Sequence, residues 1–132
     1  MLITGCSPKA VPENKQQPVT SPSGEYVLTV PIETNTTNPQ YKGTPVWKVT
    51  ISSNGKIEYK DEGSTFVGNL NVYWIWDKDD RIWLYESDTS YVYFWAKVDG
   101  EWQKTKWGYG HTREIDMAIE PPEELYPAYA KK

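Results

Sequence analysis

Tyr91-Val92-Tyr93-Phe94-Trp95-Ala96-Lys97-Val98-Asp99-Gly100-Glu101-Trp102-Gln103-Lys104-Thr105-Lys106-Trp107 reads as a β-hairpin. Aromatic and β-branched residues, which pack well on a pleated surface, crowd both sides of an Asp-Gly pair. Those two residues tolerate the positive φ that a type I′ turn demands. With Asp99-Gly100 as a two-residue turn, Lys97 faces Trp102 and Trp95 faces Lys104. Side chains alternate along a strand. One face therefore carries Tyr91, Tyr93, Trp95 and Lys97, joined by Trp102, Lys104 and Lys106. The opposite face carries Val92, Phe94, Ala96 and Val98, compact apolar residues suited to a core. The first face mixes rings with lysines and is expected to be at least partly exposed.

The same punctuation extends in both directions. Val72 to Trp76 is expected to turn through Asp77-Lys78-Asp79-Asp80 into Arg81 to Glu86, and Ser87-Asp88-Thr89 to lead into Tyr91. A four-residue loop at Asp77–Asp80 sets Trp76 opposite Arg81 and Trp74 opposite Trp83. Upstream, Tyr26 to Val30 reads as a strand and Thr34 to Gly43 as a loop. In Val46 to Ser52, Trp47, Val49 and Ile51 point one way and Lys48 and Thr50 the other. At Ser53-Asn54-Gly55, a three-residue loop pairs Ile51 with Ile57 and Val49 with Tyr59. It keeps apolar residues together and puts Gly55 in the left-handed position. Ile115, Met117 and Ile119 alternate with acidic residues and suggest a last strand, a short amphipathic helix being the alternative. Pro121-Pro122 ends it, and Glu123-Glu124-Leu125-Tyr126 suggests one helical turn before the tail frays. Together these features predict an all-β, antiparallel meander forming a sandwich or small barrel of about 7–8 strands.

The chain has 132 residues, enough for one domain and one core. Seven Trp and ten Tyr stand against two Phe. Rings with polar tips suit half-buried surfaces and partner contacts. A net charge of −4 argues against a dedicated nucleic-acid binder. No stretch approaches the roughly 18 apolar residues of a membrane-spanning helix. The single cysteine, Cys6, excludes an internal disulfide and a multi-cysteine metal site. It precedes a polar segment, Ser7 to Gly24, that holds Pro8, Pro12, Pro18 and Pro22 and offers little apolar surface.

Leu2-Ile3-Thr4-Gly5-Cys6 resembles a bacterial lipobox, in which aliphatic and small residues precede a lipidated cysteine. The resemblance implies a bacterial lipoprotein. Residues 1–5 would be the remnant of a truncated signal peptide, and Cys6 would carry the acyl chains that partition into a bilayer. It also implies a lipid-anchored place in the cell envelope, on the periplasmic or the cell-surface side. Residues 6–24 are then the lipidated, flexible tether, 25–120 the β domain and 121–132 a C-terminal tail.

Two readings of the mixed aromatic face stay open. Lys97 and Lys104 stack their stems over Trp rings and finish a solvated sheet. Alternatively, Tyr91, Tyr93, Trp95, Lys97, Trp102, Lys104 and Lys106 form a platform for a protein or glycan partner. Trp107, Tyr109 and His111, flanked by Gly108 and Gly110, form a second candidate on a permissive loop. His111 is the only histidine, and no Gly-x-Ser-x-Gly elbow accompanies it. Asp77, Asp79 and Asp80 offer a weak calcium possibility without EF-hand spacing, a solvated turn being the alternative. No cofactor is implied. The functions, in order, are a non-enzymatic envelope domain that binds a protein or glycan, a structural or assembly lipoprotein without a ligand, and a small hydrolase.

Overall fold

A computed structural model describes residues 11–12, 17–34, 40, 43–62, 65–68 and 71–130. Cys6 and the lipobox-like residues lie outside the described residues.

The fold is all-β and antiparallel throughout. A six-stranded sheet is built from β1 (Val11–Pro12), β8 (Val72–Trp76), β9 (Ile82–Glu86), β10 (Tyr91–Val98), β11 (Glu101–Tyr109) and β12 (Thr112–Arg113), in that spatial order. A four-stranded sheet orders β2 (Val19–Thr20), β3 (Val27–Thr29), β6 (Thr50–Ser53) and β7 (Lys56–Lys60). A third sheet pairs β4 (Ile32–Thr34) with β5 (Pro45–Trp47). The expected strand number was too small because several of these strands have only two or three residues.

The central hairpin has the expected register: Lys97 pairs with Trp102 and Trp95 with Lys104. Asp99 and Gly100 take φ of 52° and 83°, as a type I′ turn requires. The middle of the six-stranded sheet is covered on both faces. Its inner face, with Val72, Trp74, Trp76, Leu84, Trp95 and Trp102, packs against Tyr26, Leu28, Val30, Val49 and Ile51. The mixed face is partly exposed as expected, with Lys97 exposed and Tyr91, Tyr93, Lys104 and Lys106 half-buried, but its two indoles are core: Trp95 is 0% and Trp102 8% exposed. β10 is a central strand, and the four-stranded sheet lies over it. The outer face, with Ile75, Trp83, Tyr85, Val92, Phe94 and Trp107, is covered by Leu125 and Tyr126. The expected frayed tail is thus a docked strap with two 3₁₀ turns, Glu123–Leu125 and Ala128–Ala130.

Other expectations change for local reasons. Asn54 and Gly55, at φ of 53° and 77°, form a two-residue turn in which Ser53 pairs with Lys56. A bulge at Glu58 then shifts the register between Ser52–Ile57 and Ile51–Tyr59. The bulge keeps Ile51 beside Tyr59 and leaves Ile57 65% exposed. The Asp77 loop runs through Arg81, so Trp76 pairs with Ile82 and Trp74 with Leu84. Val46 to Ile51 does not alternate, because all six residues are buried. The strand breaks at Lys48 and Val49 as the chain passes from the small sheet to the four-stranded one. There, Trp47 N–H donates to Phe66 O and Lys48 N–H to Pro31 O.

Residues 115–119 form no strand. Glu114 N–H is already taken by Trp107 O, and β12 ends at Arg113. The domain also begins before Glu25. Val19–Thr20 pairs with β3 and Val11–Pro12 with β8, inside the stretch expected to be tether.

The turn after β11 depends on the absence of a side chain at Gly108. A Cβ there would lie 2.0 Å from the backbone oxygen of Thr112. Gly108→Ala is therefore expected to cost about 3 kcal/mol or more, since backbone rather than a flexible side chain must move. Gly55→Ala meets open space but keeps a left-handed φ, and is expected to cost only about 1–2 kcal/mol. Urea unfolding of both variants checks the ranking.

Candidate functional site

The seven residues expected to form one exposed face are brought together, but three lysines with different surroundings divide them. At the hairpin tip, Lys97 Nζ donates to Glu58 Oε1 at 3.1 Å and Trp102 Nε1 donates to the same oxygen at 2.9 Å. Lys97 Nζ also lies 5.3 Å from the centre of the Tyr26 ring. The indole hydrogen bond first, then the one from Lys97, holds the Glu58 carboxyl below its ordinary value. The bond to Glu58 in turn raises the Lys97 ammonium.

In the middle of the hairpin, Lys104 closes the rim of the core. Its Nζ donates to Thr65 Oγ1 at 2.8 Å and to Asp61 Oδ2 at 3.2 Å. It sits 4.7 Å from the Phe66 ring centre, 5.6 Å from that of Tyr93 and 5.9 Å from that of Trp95. Such an ammonium is held by ring quadrupoles as well as by a carboxylate. The Tyr59 hydroxyl donates to Asp61 Oδ1 and accepts from Trp95 Nε1. Burial pushes the Tyr59 phenol well above its usual value, and that of Tyr93 upward. Lys97 and Lys104 are therefore fixed in place, each by a carboxylate from the segment 58–61.

Lys106 differs. Its Nζ lies 3.7 Å from the Tyr91 ring centre and 5.8 Å from that of Tyr109, and those rings are 6.1 Å apart. Its carboxylate neighbour, Glu114, is at 4.0 Å, the limit of an ion pair. Tyr109 is 45% exposed and Tyr91 is half-buried. This is the part of the expected face that stays accessible: two phenols with an ammonium between them.

The second candidate divides as well. Trp107 is core, and its Nε1 donates to Ile119 O at 2.9 Å. The His111 ring lies tilted against Tyr126 with ring centres 4.3 Å apart, and its Nε2 lies 3.1 Å from Ala130 O. Tyr109 alone of the three joins the Lys106 patch.

The acidic turn is structural. Asp77 accepts the Asp79 N–H at 2.8 Å, the Arg81 N–H at 3.0 Å, Arg81 Nε at 2.7 Å and Trp83 Nε1 at 2.8 Å. Asp80 accepts from the backbone and hydroxyl of Ser23. The carboxylates suggested for calcium thus serve protein donors. Among the described residues no group of three or more His, Cys, Asp or Glu could hold a metal. Sequence reasoning missed Glu58, Asp61 and Asp77 as partners of the rings. The Asp-x-x-x-Arg-x-Trp spacing of the β8–β9 turn was the one local sign available.

No protein-family model, no curated protein and no solved structure matches the chain.

The Glu58 cluster has a pH signature. A carboxyl whose folded pKa is depressed below 4.5 adds stability that is fully present above that value. The contribution is lost as pH falls through the folded pKa. The stability gap between wild type and Glu58→Gln is therefore expected to be constant from pH 7 to about pH 5 and to shrink toward pH 3. Urea melts across that range measure it; a gap that widens at low pH contradicts the assignment.

Proposed function

We propose that this chain is the folded module of a bacterial lipoprotein, anchored at the cell envelope through Cys6. It acts without catalysis, contacting a protein or glycan through Tyr91, Lys106 and Tyr109. The observation that carries this reading is the accessible pair of phenols flanking one ammonium, on a face whose other rings are spent on the core. Tyrosines of this kind offer apolar area with a polar tip, which suits wet and adaptable contacts. A sugar ring would stack on a phenol while Lys106 donates to its hydroxyls.

The envelope location rests on the lipobox-like Leu2-Ile3-Thr4-Gly5-Cys6. The hydrolase reading ranks last because His111, the sole histidine, is engaged with Tyr126 and the Ala130 carbonyl rather than with a nucleophile. The assembly reading draws on the same burial of Trp95 and Trp102, which spends rings on packing that a larger platform would have used.

Two measurements test the proposal. In a glycan array and a pull-down on purified cell-wall fragments, the Tyr91→Ala/Tyr109→Ala variant is expected to lose on the order of tenfold or more in binding, with an unchanged urea midpoint. Binding equal to wild type removes the patch. Expressed from its own locus, the protein is expected in the membrane fraction with acyl chains on Cys6, and Cys6→Ala in the soluble fraction. A membrane fraction unaffected by Cys6→Ala rejects the anchor.

A further inference from the structure

The outer face of the six-stranded sheet is covered over its middle and left open toward the tip of the β10–β11 hairpin. The cluster under the strap includes Val92 and Phe94, but Ala96 is half-buried and Val98 is 43% exposed. Beside them runs a groove of about 460 Å³. Met117 and Ile119 form its far wall, and Met117 is 44% exposed. That wall is held in place: Arg113 donates to Met117 O and pairs with Glu120 at 3.4 Å.

The groove follows from a mismatch in strand length. β9 begins at Ile82, which pairs with Trp95, whereas β10 runs on to Val98. The turn from Asp77 to Arg81 does not fill the gap, because its backbone hydrogen bonds close on itself: Asp77 N–H donates to Arg81 O and Asp80 N–H to Asp77 O. Val98 pairs with Glu101 across the two-residue turn, so its backbone groups face β11. Alternation then turns the N–H and C=O of Lys97 toward the side that β9 has left. A short sheet edge thus lies between apolar side chains, the arrangement that accepts an extended peptide by strand addition.

The rim is acidic. Glu25, Asp79 and Asp80 line the groove together with Arg81 and Lys97. Both cations are already held, Arg81 by Asp77 at 2.7 Å and Asp79 at 3.2 Å, and Lys97 by Glu58 at 3.1 Å. Among the described residues neither Glu25 nor Asp80 has an ion-pair partner. Glu25 precedes β3 of the four-stranded sheet, and Asp80 holds Ser23 beside it. Ala96 and Val98 point the other way, on the face of Phe94. We propose that this groove docks an extended segment of a partner protein in which basic and apolar residues alternate. The segment pairs with the backbone of Lys97. Its apolar side chains lie against Ala96, Val98 and Met117, and its basic ones reach Glu25 and Asp80. An acidic segment would meet like charge there, which disfavours it. The groove lies at the opposite end of the hairpin from Tyr91 and Tyr109, so it stands independently of the patch proposed above.

The probe is the acetylated, amidated pentapeptide Lys-Val-Lys-Val-Lys, titrated into isotope-labelled protein and followed by NMR. Its counterpart Glu-Val-Glu-Val-Glu is the control. The basic peptide is expected to shift the Lys97 amide and the methyl groups of Val98 and Met117, and the acidic one to leave them in place. Replacing both carboxylates, Glu25→Gln with Asp80→Asn, is expected to weaken the basic peptide roughly tenfold at low salt with an unchanged urea midpoint. Asn tolerates the φ of 59° that Asp80 takes. If the double variant loses stability, salt decides. Binding to wild type is then expected to weaken several-fold from about 20 mM to about 200 mM sodium chloride, and an affinity indifferent to salt overturns the proposal. Equal responses to the two peptides, no shift at Lys97 with millimolar basic peptide, or unchanged binding by a stable double variant also overturn it. Shifts centred on Tyr91 and Tyr109 instead overturn it and leave the other patch standing. Shifts at the groove that grow with protein concentration alone assign it to a second copy, and overturn the basic partner.

Discussion

A buried indole carries one N–H that cannot be left without an acceptor at low cost, and this constraint organises the molecule. The meander places tryptophans on both faces of one sheet, and five of their N–H groups find acceptors in the segments that cover those faces or turn at their ends, whereas the buried Trp47 Nε1, outside the meander, has none among the described residues. Trp76 donates to Val19 O of β2, Trp95 to the Tyr59 hydroxyl and Trp102 to Glu58. On the other side, Trp83 donates to Asp77 and Trp107 to Ile119 O. Each bond is directional, so it fixes where a neighbouring segment lies as well as how deeply the ring is buried. The apolar surface drives the layers together; the indole N–H groups and their acceptors set the alignment between them.

The charged residues follow from the same constraint. Lys104, Asp61 and Tyr59 form a chain of donors and acceptors that ends on Trp95. Arg81, Asp77 and Trp83 form another. A buried carboxylate is tolerated where several donors converge on it, and its removal costs more than the pair contributes. The acidic balance of the chain is therefore partly structural, and its loop carboxylates are poor guides to a ligand.

What could be read from the sequence was whatever is decided locally. Asp99-Gly100 sets its own turn, so the β10–β11 register followed from flanking residues alone. Asn54-Gly55 also sets its own turn, but the bulge at Glu58 answers to Trp102 and Lys97, some forty positions away, and no local pattern reports it. Alternation along β10 separated two faces correctly without saying what covers each. The lysines suggested solvent, yet Lys104 is held by Asp61 and Thr65 from a distant segment. The helical turn at Glu123–Leu125 was legible beside its prolines, but the docking of the tail was not, because a pair of anchors, Leu125 and Tyr126, forms no periodic pattern that names the face it covers. Of the candidate site, Tyr91 and Lys106 were legible on one face because their surroundings come from one hairpin, whereas Tyr109 was expected on a loop and lies instead opposite Tyr91 in β11.

The pairing at the start of the chain bears on how the domain would sit if Cys6 is acylated as proposed. Val11 pairs with Trp74 and Pro12 with Tyr73. At no more than ~3.6 Å per residue, the five steps from Cys6 to Val11 span at most ~18 Å, less than the thickness of a bilayer's apolar core. Within the Pro-rich stretch, Val11–Pro12 and Val19–Thr20 are strands of the fold, so an acylated Cys6 would hold the β1 edge of the six-stranded sheet close to the membrane surface. Pro12, which has no N–H to offer, also blunts that edge against further strand pairing. Such an arrangement restricts which partners can reach the domain. Were Cys6 acylated, a ligand that shares the envelope surface with the anchor would meet the domain readily, whereas one far from the membrane would lie beyond the reach that five residues allow.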